Sequence, residues 1–332
     1  MLRTLLSFSF LLSGGFFLSV SQAEESLDWL EGTSPAVRQV LRGTGGGDHQ
    51  MRLRRVEQLT VFSDDDVRAI GRFLRTPAKT GGLISARSFD QELKNAIMNR
   101  LRASPVPAEV QFTWYVTIIP NVKIDPVIRD YSAQHAAKLM LRRDCSAALS
   151  ARIAQLLLEE AEKQVETSVS GTVIAALLQV HHHKVAAGLP PHPLHRDPLL
   201  QVAEIVGKAE SSSSGSRSAA FAAVGELVSP ECPPWIVEWF RQGALVPEGG
   251  GEEELRGRVQ DPLALFAAAR VLWNSSKEAH RESVTSYVES LPEGDVYRRL
   301  IEGWETEERE ALPTVPKWES EEDVEEKERE ER

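Results

Sequence analysis

The feature that most constrains this chain is punctuation: helix-start signals and helix-length apolar periodicity recur from residue 34 to residue 304, with brief turns between them. Ser34-Pro35 opens one segment with a cap residue followed by proline in the first turn, and Gly43 closes it. Ser63 and Asp66, three apart, open the next strong start, where an acidic first turn suits a helix N-terminus and Val67, Ile70 and Leu74 recur at three and four. The run from Ser88 places Phe89, Leu93, Ile97 and Leu101 on one stripe. Asp125-Pro126 starts a run of almost five turns, and Asp197-Pro198 and Asp261-Pro262 repeat the device. Only PAEVQFTWYVTII, from Pro107, is ambiguous. Its Val, Thr, Ile and aromatic residues favour a strand, yet a lone strand among helices has no partner, so the expectation is helix.

Helices this short and numerous cannot each bury an apolar face unaided, and stacked pairs solve the problem by giving every pair neighbours on both sides. The expected fold is therefore all-α: an irregular α-solenoid of stacked antiparallel helix pairs. The starts Asp125-Pro-Val-Ile-Arg129, Arg217-Ser-Ala-Ala and Asp261-Pro-Leu-Ala-Leu are unevenly spaced, so the repetition is degenerate. Three organisational units follow. Residues 1–23 read as a signal peptide, residues 24–306 as the helical-repeat domain, and residues 307–332 as an acidic, charged tail in a frayed or disordered state. Irregular corners are expected near residues 76–88, 184–196 and 243–260.

The leader reading rests on Arg3, the apolar run Leu5 to Val20, and the small residues Ser21 and Ala23 at minus three and minus one of a cleavage point. Gly14-Gly15 interrupts that run and no later segment resembles a second span, which favours export, to the periplasm or the exterior, over a retained anchor. The net charge is -11, concentrated in the tail from Lys317, and this opposes non-specific nucleic-acid binding. The only cysteines, Cys145 and Cys232, lie far apart in sequence, and an oxidising compartment would permit them to pair.

DPVIRDYSAQHAAKL and SRSAAFAAVGELVSP resemble HEAT-repeat helices, with proline or aspartate near the start, a basic residue soon after, and small or aliphatic core positions. The whole stretch from Ser34 to Trp304 is similar to exported bacterial HEAT-like proteins of unassigned activity. The resemblance implies a superhelical stack with a concave binding surface, and it brings no catalytic residues with it.

Five of the eight histidines fall between His181 and His195. His181, His182 and His183 are consecutive, so on a helix their side chains diverge by about 100 degrees. His192 and His195 follow the turn Gly188-Leu-Pro-Pro191. A site using His181 or His183 with His192 or His195 would suit zinc, copper or nickel, although the spacing matches no established metal signature. The plainer reading is a helix end followed by a proline-held turn. Tyr131 and His135 share a face one turn apart, with Arg129 just before them, and read as a packing or interface cluster. Trp235 and Trp239, four apart, read either as repeat core or as rigid anchors for a partner. No phosphate loop, HExxH or nucleophile elbow is present. The expected function is an exported interaction scaffold for an unidentified protein or peptide. A metal-assisted hydrolase built on the histidine region and a purely structural envelope component are the competing readings.

Overall fold

The computed structural model describes residues 27–42, 49–76, 84–188, 193–244 and 261–304, although the side chains of residues 27–28, 84–86 and 193–195 are not described. The leader, the central parts of all three expected corners, and the acidic tail lie outside these residues. Among the described residues the chain is all-helical. A 3-10 turn, Leu27–Leu30, precedes fourteen α-helices: α1 (Pro35–Arg42), α2 (His49–Glu57), α3 (Asp64–Arg75), α4 (Ile84–Arg102), α5 (Ala108–Ile118), α6 (Pro126–Leu139) and α7 (Ala147–Lys163); then α8 (Ser168–Ala186), α9 (Pro193–Lys208), α10 (Ser214–Val228), α11 (Pro234–Ala244), α12 (Pro262–Trp273), α13 (Glu278–Ser290) and α14 (Val296–Glu302).

The starts are built as the sequence directs. Ser63 and Asp66 form a reciprocal capping box at α3. Asp125, Asp261 and Asp295 accept backbone N–H groups at the starts of α6, α12 and α14. The ambiguous segment after Pro107 is helix α5, in which Ala108, Phe112, Tyr115 and Ile118 are buried at three- and four-residue spacing. Packing on neighbouring helices overrides the β preference of its side chains.

Two helix starts differ from expectation. Helix α4 begins at Ile84 rather than Ser88. Helix α9 begins at Pro193, so Asp197-Pro198 lies inside it rather than opening it. Pro193 occupies the first position, where a missing N–H costs nothing, and Pro198 sits one turn further along. Ser213 caps α10, its Oγ accepting from Ser216 N.

Helix neighbours follow a rule. The even-numbered helices pack successively, α2 on α4, α4 on α6, and so on through α8, α10 and α12 to α14. The odd-numbered helices α1, α3, α5, α7 and α9 make a second row, continued by α11 on α13. Sequential partners such as α5 and α6, α7 and α8, or α9 and α10 join the rows, and one contiguous apolar core runs between them.

Basic side chains stitch this arrangement together. Arg52 donates to the Val40 carbonyl at the end of α1 (2.7 Å), Lys94 to Thr76 after α3 (2.6 Å), and Arg129 to Ile119 after α5 (2.9 Å). Arg217 reaches Ala209 after α9 (2.8 Å), Arg281 reaches Trp273 at the end of α12 (2.9 Å), and Arg298 reaches Leu291 after α13 (2.9 Å). Each satisfies carbonyls that a helix terminus leaves without partners and meets the negative end of a helix dipole. Within the even row, Asp125 pairs with Arg87 and Gln91 of α4, and Asp261 pairs with Arg217 of α10 (2.6 Å).

Candidate functional site

No residue of α6 from Val127 to Leu139, nor of α8 from Val169 to Lys184, is fully exposed. By contrast, α7 in the odd row presents Arg152, Gln155, Glu159 and Glu162 to solvent. At α6 and α8 the even row is therefore recessed, and an open groove of about 480 Å³ runs across α6, α8 and α10. That size lies within the range of ligand sites in proteins.

Small residues create the groove. Gly171 brings α8 so close to α10 that an added Cβ would stand 2.7 Å from the Ser216 Cα. The Ser216 hydroxyl accepts the Gly171 N–H (3.2 Å) and donates to the Thr167 carbonyl (3.0 Å), which locks the two helix starts together. Beyond this contact Ala175, Ala176 and Ala219 leave the floor open. Gln134 and Lys138 of α6 form one wall, and Ser168, Thr172 and Gln179 line α8. The lining is thus rich in amides and hydroxyls, which both donate and accept hydrogen bonds.

Two charged residues of α6 stand in or beside this groove. Asp130 bonds the groove residues Ser168 (2.7 Å) and Thr172; burial raises its carboxyl above the ordinary range, opposed by those bonds and by the charge of Arg129. Burial and the nearby Arg102 guanidinium lower the Lys138 ammonium.

The sequence candidates are distributed around this groove rather than in it. Arg129 is buried at 4% exposure with its guanidinium on the Ile119 carbonyl. His135 is equally buried, and its Nε2 meets Asn95 Oδ1 of α4 at 3.1 Å rather than Tyr131. The reason is direction: His135 faces the preceding helix of its own row, whereas Tyr131 is half-buried against the core cluster. Burial, with smaller contributions from Lys138 and Arg102, depresses the His135 pKa to about 3. Arg129 and His135, read from sequence as part of a packing or interface cluster, direct their side chains into the packing.

Trp235 and Trp239 of α11 lie half-buried against Phe221 of α10, with ring centroids 5.5 and 4.8 Å away. Lys208 covers the ring of Trp235 and Arg217 that of Trp239, each 5.6 Å from the centroid. The histidine triplet occupies the last turns of α8, all three half-buried. His182 stands against Glu226 of α10, and burial lowers the pKa of His181. His192 lies outside the described residues. The backbone of His195 belongs to α9, but its side chain is not described. Among the described residues no three His, Cys, Asp or Glu side chains converge as metal ligands. Cys145 and Cys232 are free thiols that burial pushes up to about 11, far from a reactive thiolate.

Sequence reasoning did not find the groove. A signal existed in α8, where Ser168, Thr172, Ala175 and Gln179 make a polar and small stripe at helical spacing along a mostly apolar helix. Comparison with family models, with characterised proteins and with solved structures finds no match for this chain. Among the described residues no helix is long and apolar enough to cross a membrane.

Proposed function

We propose that this protein is an exported, non-enzymatic interaction scaffold, an irregular HEAT-like α-solenoid whose even-numbered helices bind a segment of another protein. The two-row packing, in which each helix meets the helix two places on, supports the solenoid. The leader sequence supports export. The observation that carries the binding role is the groove across α6, α8 and α10, recessed and lined by groups able to pair with a peptide backbone.

The mechanism is presentation of a preformed surface. Helix-end carbonyls are satisfied by Arg and Lys from neighbouring helices, so the rows hold their shape without a ligand. A partner segment entering the groove exchanges water for amide and hydroxyl contacts, with little ordering cost on this side of the interface. Cross-linking in the native compartment followed by mass spectrometry tests the proposal. The expected result is a protein partner joined to residues of α6, α8 or α10, lost in an Ala175→Phe variant that fills the groove. A protein that stays unattached while hydrolysing substrate in a zinc-, copper- or nickel-dependent way would replace the scaffold with the hydrolase reading.

A further inference from the structure

The last described helix carries more apolar surface than the core uses. Tyr297, Ile301 and Trp304 recur at four- and three-residue spacing along α14 and the turn after it. Ile301 and Trp304 are buried, and Tyr297 and Trp304 meet Phe266 of α12 with ring centroids 5.6 and 5.2 Å away. Val296 and Leu300 make a second stripe, rotated by about 100 degrees from the first, and they are 53% and 51% exposed. Among the described residues no other helix leaves two large apolar side chains exposed one turn apart. Within a stack of helices the next element covers such an edge, and α14 is the last described helix.

The sequence that follows has a matching pattern. After the charged run Glu305 to Glu310 comes ALPTVPKW, residues 311–318, where Leu312, Val315 and Trp318 recur every third residue with Pro313 and Pro316 among them. We propose that this segment folds back in polyproline II conformation onto the Val296–Leu300 edge of α14 and closes the end of the helical stack. Proline opposes continuation of a helix, and three residues per turn bring Leu312, Val315 and Trp318 to one edge. The reach suffices. The run 305–310 can extend to about 20 Å, while Leu300 lies about 6 Å back along the axis from Trp304. A second copy of the chain is a poorer occupant, because an edge of two side chains falls far short of the roughly 1,200 Å² that a stable interface buries. A tethered segment needs no such area, since its effective concentration at the edge is on the order of millimolar.

Trypsin digestion and photo-cross-linking of the purified whole chain test this together. Cleavage after Lys317, inside the docked segment, is expected to run about tenfold slower in wild type than in a Leu312→Ser, Val315→Ser double variant. Cleavage after Arg329, beyond the docked segment, should proceed at the same rate in both. Photo-activatable benzoylphenylalanine at Leu300 should form an adduct within one chain, mapped by mass spectrometry to residues 311–318 and lost in the double variant. Equal cleavage rates after Lys317, an adduct that joins two chains, or no adduct at all overturns the proposal. None of these results bears on the groove across α6, α8 and α10, so this proposal and the scaffold reading fail separately.

Discussion

At the residue scale, basic side chains act as internal fasteners between helices. Arg129 holds the carbonyl that ends α5 and lies beside Asp130. Arg129→Met leaves the Ile119 carbonyl with the longer bond from Gln164 (3.4 Å) and removes the charge beside Asp130, and urea unfolding should show a loss of about 1–3 kcal/mol. His135 adds a pH dependence whose direction follows from its burial. Its pKa is about 3 in the fold and about 6.5 when unfolded, so above pH 6.5 neither state carries the proton. As pH falls from 6.5 toward 3 only the unfolded chain takes it up, and stability declines by about 1.4 kcal/mol per unit. Urea unfolding of wild type and His135→Gln at pH 7 and pH 5 should therefore show the wild type losing about 2 kcal/mol more than the variant. A parallel decline in both would place the pH response elsewhere. Neither the Ile119 carbonyl nor Asn95 was legible as a partner from sequence, because both arrive from preceding helices that no local spacing reveals.

At the element scale, the sequence announces most helices and misplaces some of their ends. Asp125, Asp261 and Ser63 act as the caps their positions indicate. Asp197-Pro198 misleads, because the same dipeptide that opens a helix is tolerated one turn inside another that starts at Pro193. Helix α5 shows the opposite lesson: β-prone residues form a helix when their three- and four-residue spacing meets neighbouring helices. The groove stayed hidden because its floor depends on the closeness of α8 and α10, a relation between elements rather than a property of either. Gly171→Ala tests that closeness. The new methyl meets the Ser216 backbone, and thermal or urea unfolding should register a loss of about 1–3 kcal/mol. Gly215→Ala meets no atom within 4 Å and should be neutral or gain up to about 1 kcal/mol from helix propensity.

At the scale of the whole molecule, two rows of helices share one core, and each helix depends on neighbours within a few positions of it in sequence. No covalent staple joins distant parts, since both thiols are free. A reductant should accordingly leave the melting temperature unchanged, and a fall on reduction would mean that Cys145 and Cys232 pair in solution. The solenoid resemblance, the leader and the acidic tail are expectations that rest on sequence. The central claim is that the recessed even row, and not the exposed odd row, meets the partner. Placing a photo-activatable benzoylphenylalanine at Gln179 in the groove, or at Gln155 on the solvent face of α7, compares the two rows directly in producing cells. The account predicts a discrete protein adduct from position 179 and none from position 155. Adducts from position 155 alone, or equally from both, would contradict it.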